Sequence, residues 1–452
     1  MDIIKDNPLK LYLRYLFFSF GSALISSLYS VVDMMMVGQY EGASGSAATA
    51  IVAPIWNIIY SLGLLTGMGS AIFWAKAKGE GKNSNELNQI FSVGMGLTLV
   101  ISLVVWILLI VFERQILIMF GATEALIPLA EKYLVSIKFT VPIFLFNQIL
   151  AAFLRNDNDP SLATVGIICG GLFNVLGDYL FVFTFNLGIE GAGIATVLCN
   201  VVSLIIMCLH FFKKKNTLKL VKPQEIFKKS KSIFFNGFSS FFVDTSMGIL
   251  TIVFNNQILS YFNENALAVY GVIININTFV QCCAYGVGQA SQPLISMNFG
   301  ANNKDRVNKI YKYGVVTIII ISAIWLSSVL ISPNGSINLF MNANSEVLSI
   351  APSIMRAYCL VFIFLPFNVF SVYYFQSILK PLFAFIVSAL RGLVISVPLL
   401  FILPKINSFS IWYAMLITEA IVFIMIVAYM LIIHIKEVKA KDKSLELSKQ
   451  NL

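Results

Sequence analysis

The sequence predicts an all-α integral membrane protein of twelve transmembrane helices, arranged as two parallel, pseudo-symmetric lobes of six. Three observations predict it. Of 452 residues, 58% are hydrophobic and 12% charged, about half the charge content of an ordinary soluble domain. Apolar runs of about 18 residues or more recur along the whole chain, which suits spanning helices and not the short alternating segments of a barrel. Finally, local signals in the first half return in the same order in the second.

Hydropathy places the spans near 11–36, 46–72, 88–112, 126–154, 161–185, 189–212, 229–262, 266–292, 308–332, 350–379, 382–404 and 408–435. The first run is too long for a signal peptide and lacks a small-residue cleavage motif, so it reads as a membrane helix. Lys5, Lys10 and Arg14 precede it, and alternate loops then carry the basic residues: 25 of the 31 lysines and arginines fall on the side of the N-terminus. By the positive-inside rule both termini are cytoplasmic. The net charge of +9 therefore reports membrane orientation, and no nucleic-acid-binding fold surrounds it.

The sharpest change in composition is FFKKKNTLKLVKPQEIFKKSKS. It divides the chain into an N-terminal lobe (1–212), a basic cytoplasmic linker (213–231), a C-terminal lobe (232–435) and a cytoplasmic tail (436–452). Across it, GMG (67–69) followed by KGEGKNSNELNQIF parallels GVG (286–288) followed by FGANNKDRVNKIY, and FLRNDNDPSLA parallels FQSILKPLFA. Six helices per half make the repeats parallel, related by an axis along the membrane normal, with a cavity expected between them near the midplane. Prolines at 54, 142, 293, 366 and 398 and glycines at 63, 67, 69, 286 and 288 interrupt the helices, as hinges or as tight packing points. The six cysteines have no metal-ligand spacing and read as small packing residues. His210 lies beside lysines at a helix end and reads as interfacial.

Chemistry is concentrated in a few intramembrane acids. Asp33 closes LFFSFGSALISSLYSVVD, Asp178 lies in TVGIICGGLFNVLGDYLFVF and Asp244 in IFFNGFSSFFVDTSMGILTIVF. A charge at the bilayer centre costs about 2.5–3.5 kcal/mol even on lenient scales. Such a group faces a cavity or a partner, or sheds its charge by binding a proton. Asn174 and Asp178 share one helix face, and Thr196 follows in the next helix after GIEGAGIA, whose small residues allow close approach. With Asp33 they offer two carboxylates, an amide oxygen and a hydroxyl. These suit a hard cation such as Na⁺, or a carboxylate pair that carries H⁺. Asp244, one turn beyond Ser240, forms a second-lobe carboxylate and substrate candidate with Asn255 and Gln281. Arg391 and Glu419 either pair with each other or reach to water. Flexible methionine and aromatic faces suit lipophilic cations.

Four stretches, VVDMMMVGQYEG (31–42), FLRNDNDPSLA (153–163), FNVLGDYLFVFTFNLGIEGAGIAT (173–196) and YGVGQASQPLISMNFGANNKDRV (285–307), resemble the multidrug and toxic compound extrusion (MATE) family. With the helix count and the repeat, the resemblance spans about 8–435. It implies a V-shaped pair of six-helix lobes in the plasma membrane, exporting small molecules against a H⁺ or Na⁺ gradient, without a cofactor and with a monomer sufficient. The family's N-lobe cation site maps onto Asp33, Asn174, Asp178 and Thr196. Many members carry a glutamate where this chain has the shorter Asp244, and some bend the first helix at a proline where this chain has only Gly21. The same superfamily offers an alternative, a flippase for a lipid-linked precursor, which calls for basic residues in the cavity. A membrane enzyme is disfavoured because no His, Cys or Ser catalytic pattern is present. A channel is disfavoured because no filter-like segment accompanies the repeat.

Overall fold

The computed structural model describes residues 2–341 and 345–450. It is helical throughout, with no strand among the described residues. Helix α1, Pro8–Gly79, consists of two arms that meet at Gly42, whose φ of 67° and ψ of −148° break the helix; only glycine takes such a conformation without strain. The first arm runs unbroken through Gly21. The remaining spans are α2 (Ser84–Val111), α3 (Ile127–Asn156), α4 (Pro160–Thr184), α5 (Gly188–Phe212), α6 (Ile226–Tyr261), α7 (Glu264–Gly300), α8 (Lys304–Ile331), α9 (Ser345–Ser377), α10 (Pro381–Ile406) and α11 (Ser408–Ile433). Counting both arms of α1, these make the twelve crossings. Their apolar outer faces, such as Val100, Ile107 and Val111 on α2 and Val316, Ile320 and Ile324 on α8, remain exposed, as a hydrocarbon surround requires.

The repeat is built into the helix ends. Asn83 caps α2 by accepting from the Glu86 amide, and Asn303 caps α8 by accepting from the Arg306 amide; each cap closes the turn after a glycine, Gly79 or Gly300. Those two glycines also face each other across the lobes. A Cβ on Gly79 would strike the carbonyl oxygen of Met297, three residues before Gly300, and a Cβ on Gly300 would strike that of Lys76, three residues before Gly79. The contact is reciprocal, so the pseudo-two-fold axis passes between them. A second crossing brings Gly69 onto the Ile233 carbonyl and Gly237 onto that of Leu65. The same end of the molecule carries the polar ties between lobes. Asn156 and Gln292 exchange amide hydrogen bonds at 3.0 and 3.3 Å, the Tyr12 hydroxyl donates to Thr317 at 2.8 Å, and Arg306 donates to the backbone of Ile3 at 3.0 Å. Around these ties Leu64, Met68 and Ile72 of the second arm of α1 pack into a core otherwise formed by the C-terminal lobe.

The sequence reads the basic segment after α5 as a solvated connector, yet much of it is pinned to the N-terminal lobe. His210, fully buried, lies between Asp157 and Asp159 at 2.9 and 3.0 Å. Lys213 and Lys215 reach Asp159 at 2.9 and 2.8 Å, and Lys78 reaches Asp157 at 3.1 Å. The chain then lies along the start of α2, where the amides of Thr217, Lys219 and Val221 donate to Asp157, Asn88 and Ser92, and Leu218 is buried beneath them. Burial opposes the negative charge on both aspartates, but hydrogen bonds from His210 and the attraction of the lysines outweigh it and hold both carboxyls below the ordinary carboxylate range.

Two outcomes are expected. Gly300→Val should destabilise the fold by about 1–3 kcal/mol, the usual effect of overpacking, and lower the thermal midpoint of the solubilised protein. Gly96→Val, where an added Cβ meets nothing within 4 Å, should leave that midpoint unchanged. Because the folded pKa values of Asp157 and Asp159 are depressed, their contribution is present above the unfolded carboxylate value of about 4 and is lost only as pH falls through the lower folded values. Hydrogen exchange at Thr217, Lys219 and Val221 should therefore stay protected at mildly acidic pH in the wild-type protein. In Asp159→Asn, exchange at neutral pH should be at least several-fold faster.

Candidate functional site

Small residues let α1, α4 and α5 approach closely enough to bring the N-lobe candidates together. Gly171 on α4 lies under Ile25 and Tyr29 of the first arm, Gly170 against Cys199 and Ser203 of α5, and Gly177 against Ala195. Asn174, Asp178 and Thr196 are consequently all buried, at 1, 0 and 9% exposure. Asn174 Nδ2 donates to Thr196 Oγ1 at 3.4 Å. Asp33 joins them by way of a residue that the sequence did not single out. Tyr133 on α3 donates its hydroxyl to Asp33 Oδ2 at 2.7 Å and lies within electrostatic reach of Asp178 as well. A tyrosine in an apolar span is usually core, so nothing in the pattern marked Tyr133 in advance.

The polar atoms of this group are left open. Asp33 Oδ1, Asn174 Oδ1 and both carboxylate oxygens of Asp178 are buried without a hydrogen-bond partner. Buried acceptors are nearly always paired, so four open oxygens in one place call for a proton, a water or a cation. A π-helical turn, Tyr179–Thr184, begins directly after Asp178. Such turns shift the helix register and are frequent at functional sites.

The second-lobe candidates come together only in part. Asp244 Oδ1 accepts from the Tyr285 hydroxyl at 2.8 Å, and that hydroxyl accepts from Gln281 Nε2 at 2.8 Å. Asp244 Oδ2 is buried and unpartnered. Asp244 and Tyr285 border a cavity of about 10 Å³ with Ser240, Tyr373 and Arg391, close to the room one water needs. Asn255 stays apart: it lies about three turns further along α6, and among the described residues no hydrogen bond links it to Asp244. Arg391 and Glu419 pair with each other. The guanidinium donates to both carboxylate oxygens at 2.9–3.2 Å, and Asn368 Nδ2 donates to Glu419 Oε2 at 2.6 Å. The corresponding α3–α5 contact in the first lobe is neutral, Asn147 to Asn200 at 2.9 and 3.2 Å. The second lobe thus compensates Glu419 internally but leaves Asp244 Oδ2 open, and the first lobe leaves oxygens of Asp33 and Asp178 open. Among the described residues no group of three or more His, Cys, Asp or Glu side chains is placed to hold a metal ion, and the cysteines form no disulfide.

The MatE family model matches residues 19–180 and 237–402, one block in each lobe. The chain is similar to the multidrug export protein MepA of Staphylococcus aureus (strain NCTC 8325 / PS 47), with 25% identity over 338 residues that cover 74% of this chain and 73% of that one. MepA of Staphylococcus saprophyticus is 24% identical over 417 residues, covering 90% and 91%. Among solved structures, the outward-facing conformation of a multidrug resistance MATE family transporter superposes with a TM-score of 0.89 at 20% identity, covering 96% of this chain and 98% of that one. A transporter of the MOP superfamily from Pyrococcus furiosus gives 0.88 at 20% identity, covering 94% and 96%. With both lobes matched by the family model, the two-lobe helical fold in common, and export proteins among its relatives, this chain belongs to the MatE family of multidrug and toxic compound extrusion transporters.

Proposed function

We propose that this chain is a cation-coupled antiporter of the plasma membrane that exports lipophilic, cationic small molecules by alternating access. The observation that carries the reading is the group of four open oxygens on Asp33, Asn174 and Asp178, backed by Thr196 and Tyr133. Two carboxylates brought close together away from water cannot both stay charged cheaply. Binding of one H⁺, or of Na⁺ among the oxygens, relieves that repulsion. The relief depends on how closely the first arm of α1 approaches α4, so cation binding favours the lobe geometry that keeps the two acids together. A substrate that favours the other geometry is then expelled as the cation enters, each ligand acting through its differential affinity for the two states. One charge moving down 100 mV supplies about 2.3 kcal/mol, enough for roughly a fifty-fold gradient.

Charge placement supports the direction. With the basic end in the cytoplasm, the glycine crossings and the Asn156–Gln292 ties hold the cytoplasmic side closed. Both lobes lie in one chain, so a monomer is sufficient. That the relatives are multidrug export proteins agrees with a substrate class broader than one metabolite. The alternative, a flippase for a lipid-linked precursor, calls for free cations to hold a diphosphate. Arg391 is committed to Glu419, which removes one of them.

The test is ethidium transport in energised membrane vesicles under an imposed H⁺ or Na⁺ gradient. Wild-type protein should transport ethidium under one of the two gradients. Asp178→Asn and Asp33→Asn should each reduce gradient-driven transport at least ten-fold at matched expression. Full transport in both variants would remove these residues from the coupling step.

A further inference from the structure

The strap formed by residues 213–221 crosses α2 on the side of that helix that faces lipid. Asn88 and Ser92, which accept from the Lys219 and Val221 amides at 3.0 and 2.8 Å, begin a face of α2 that continues at helical spacing through Gly96, Leu99 and Leu103. Those three are exposed, whereas Asn88 and Ser92 are buried beneath the strap. The strap therefore lies at the basic end of a stripe that hydrocarbon covers further down, at the level where headgroups begin. It turns Leu218 inward but not its other apolar neighbours. Phe212 and Phe227, at the two ends of the connection, are 87% and 84% exposed, the most of any large hydrophobic residue among the described residues, and Leu220 between them is 70% exposed.

Eight lysines and one glutamate fall within 213–231. Lys213 and Lys215 are held by Asp159, Lys228 by Glu225 and Lys229 by Gln89. Lys214, Lys219, Lys222 and Lys231 are exposed, and their ammonium groups have no ion-pair or hydrogen-bond partner among the described residues. On α6, Lys231 stands one turn from Phe227 and one turn from the exposed Phe234, on a common face. The equivalent leader ahead of α1 lacks this combination: Ile3 is buried, and Asp2 and Asp6 offset Lys5. The repeat by itself therefore does not require free lysines interleaved with exposed phenylalanines.

We propose that residues 212–231 form a docking surface for anionic phospholipid of the cytoplasmic leaflet. Phe212, Leu220 and Phe227 enter the boundary between headgroups and acyl chains, while the four free ammonium groups reach the phosphates, their stems lying along apolar surface. Basic segments beside a membrane span are attracted to an anionic leaflet in this way. An ammonium is a compact point charge without a preferred bidentate geometry, so the surface selects for negative headgroup charge and not for headgroup shape. The strap is docked through backbone amides, which leaves the lysine side chains free for the lipid. Because the strap is fixed to the N-terminal lobe and Lys231 lies on the first helix of the C-terminal lobe, lipid held here touches both. The surface is independent of which ion or substrate is transported.

The test is native mass spectrometry of the purified full-length protein in micelles supplied with equimolar phosphatidylglycerol and phosphatidylcholine. Wild-type protein should retain about ten-fold more phosphatidylglycerol than phosphatidylcholine. Replacing Lys214, Lys219, Lys222 and Lys231 together by glutamine should abolish that preference, and replacing the same four by arginine should preserve it. Glutamine at Lys5, Lys10, Lys309 and Lys312, exposed lysines at the same end of the molecule, should leave it unchanged. Equal retention of the two lipids by wild-type protein overturns the proposal, as does a preference that survives the first glutamine variant. So does an equal fall in the second variant, which would trace the preference to net charge alone. Displacement of phosphatidylglycerol by inorganic phosphate overturns it too, since that marks a site for a free anion. Should the first glutamine variant fail to fold, photolabelling of wild-type protein with a photoactivatable phosphatidylglycerol decides the matter. Label within residues 212–231 supports the surface, and label confined to other segments overturns it.

Discussion

Hydrocarbon offers a polar atom no partner, and every part of this molecule answers to that condition. Helices satisfy their backbones internally, so the spans need nothing from the lipid, and their outer faces can be uniformly apolar. Side-chain oxygens and nitrogens have no such automatic solution. Each one below the headgroups must find a neighbour, bind something, or stand as an open site. The second lobe takes the first course, with Arg391, Glu419 and Asn368 closing a buried network on themselves. Asp33 and Asp178 in the first lobe and Asp244 in the second take the last, each with an open oxygen.

Close backbone approach is the means by which the scaffold holds these groups. Within the N-lobe, Gly170, Gly171 and Gly177 bring α4 against α1 and α5, so that Asn174, Asp178 and Thr196 face the first arm rather than lipid. Between the lobes, Gly79 and Gly300 meet across the pseudo-axis, each resting on the other helix's carbonyl. Only the smallest residue allows two helices to touch in this way from both sides at once. The polar ties, Asn156 to Gln292 and Tyr12 to Thr317, gather at the same end. The glycine crossings and the polar ties thus hold the two lobes together at one end of the molecule.

The linker belongs to this logic as well. Asp157 and Asp159 lie at the end of α3, a few residues from the lobe interface, and hold His210 and the strap that follows it. The strap's backbone amides are satisfied by Asp157, Asn88 and Ser92, so its first half moves with the N-terminal lobe. The same arrangement commits both aspartates to His210, the lysines and the strap, so that neither pairs with Arg155.

Much was legible in the sequence because membrane insertion imposes constraints that act residue by residue. The repeat shows in GMG (67–69) and GVG (286–288), while twelve apolar spans, the side on which lysines gather and the isolation of Asp33, Asp178 and Asp244 in uncharged runs follow from transfer energetics that need no partner to be known. Contacts between helices do not have that property. Tyr133 as the residue that binds Asp33, the pairing of Arg391 with Glu419, the burial of His210 between two acids and the separation of Asn255 from Asp244 each depend on which helix faces which. Helix order and hydropathy leave that undetermined, because every apolar face is equally content against lipid or protein; only the packed fold, through the close approach of its glycines, decides which polar atoms meet and which are left open to a ligand.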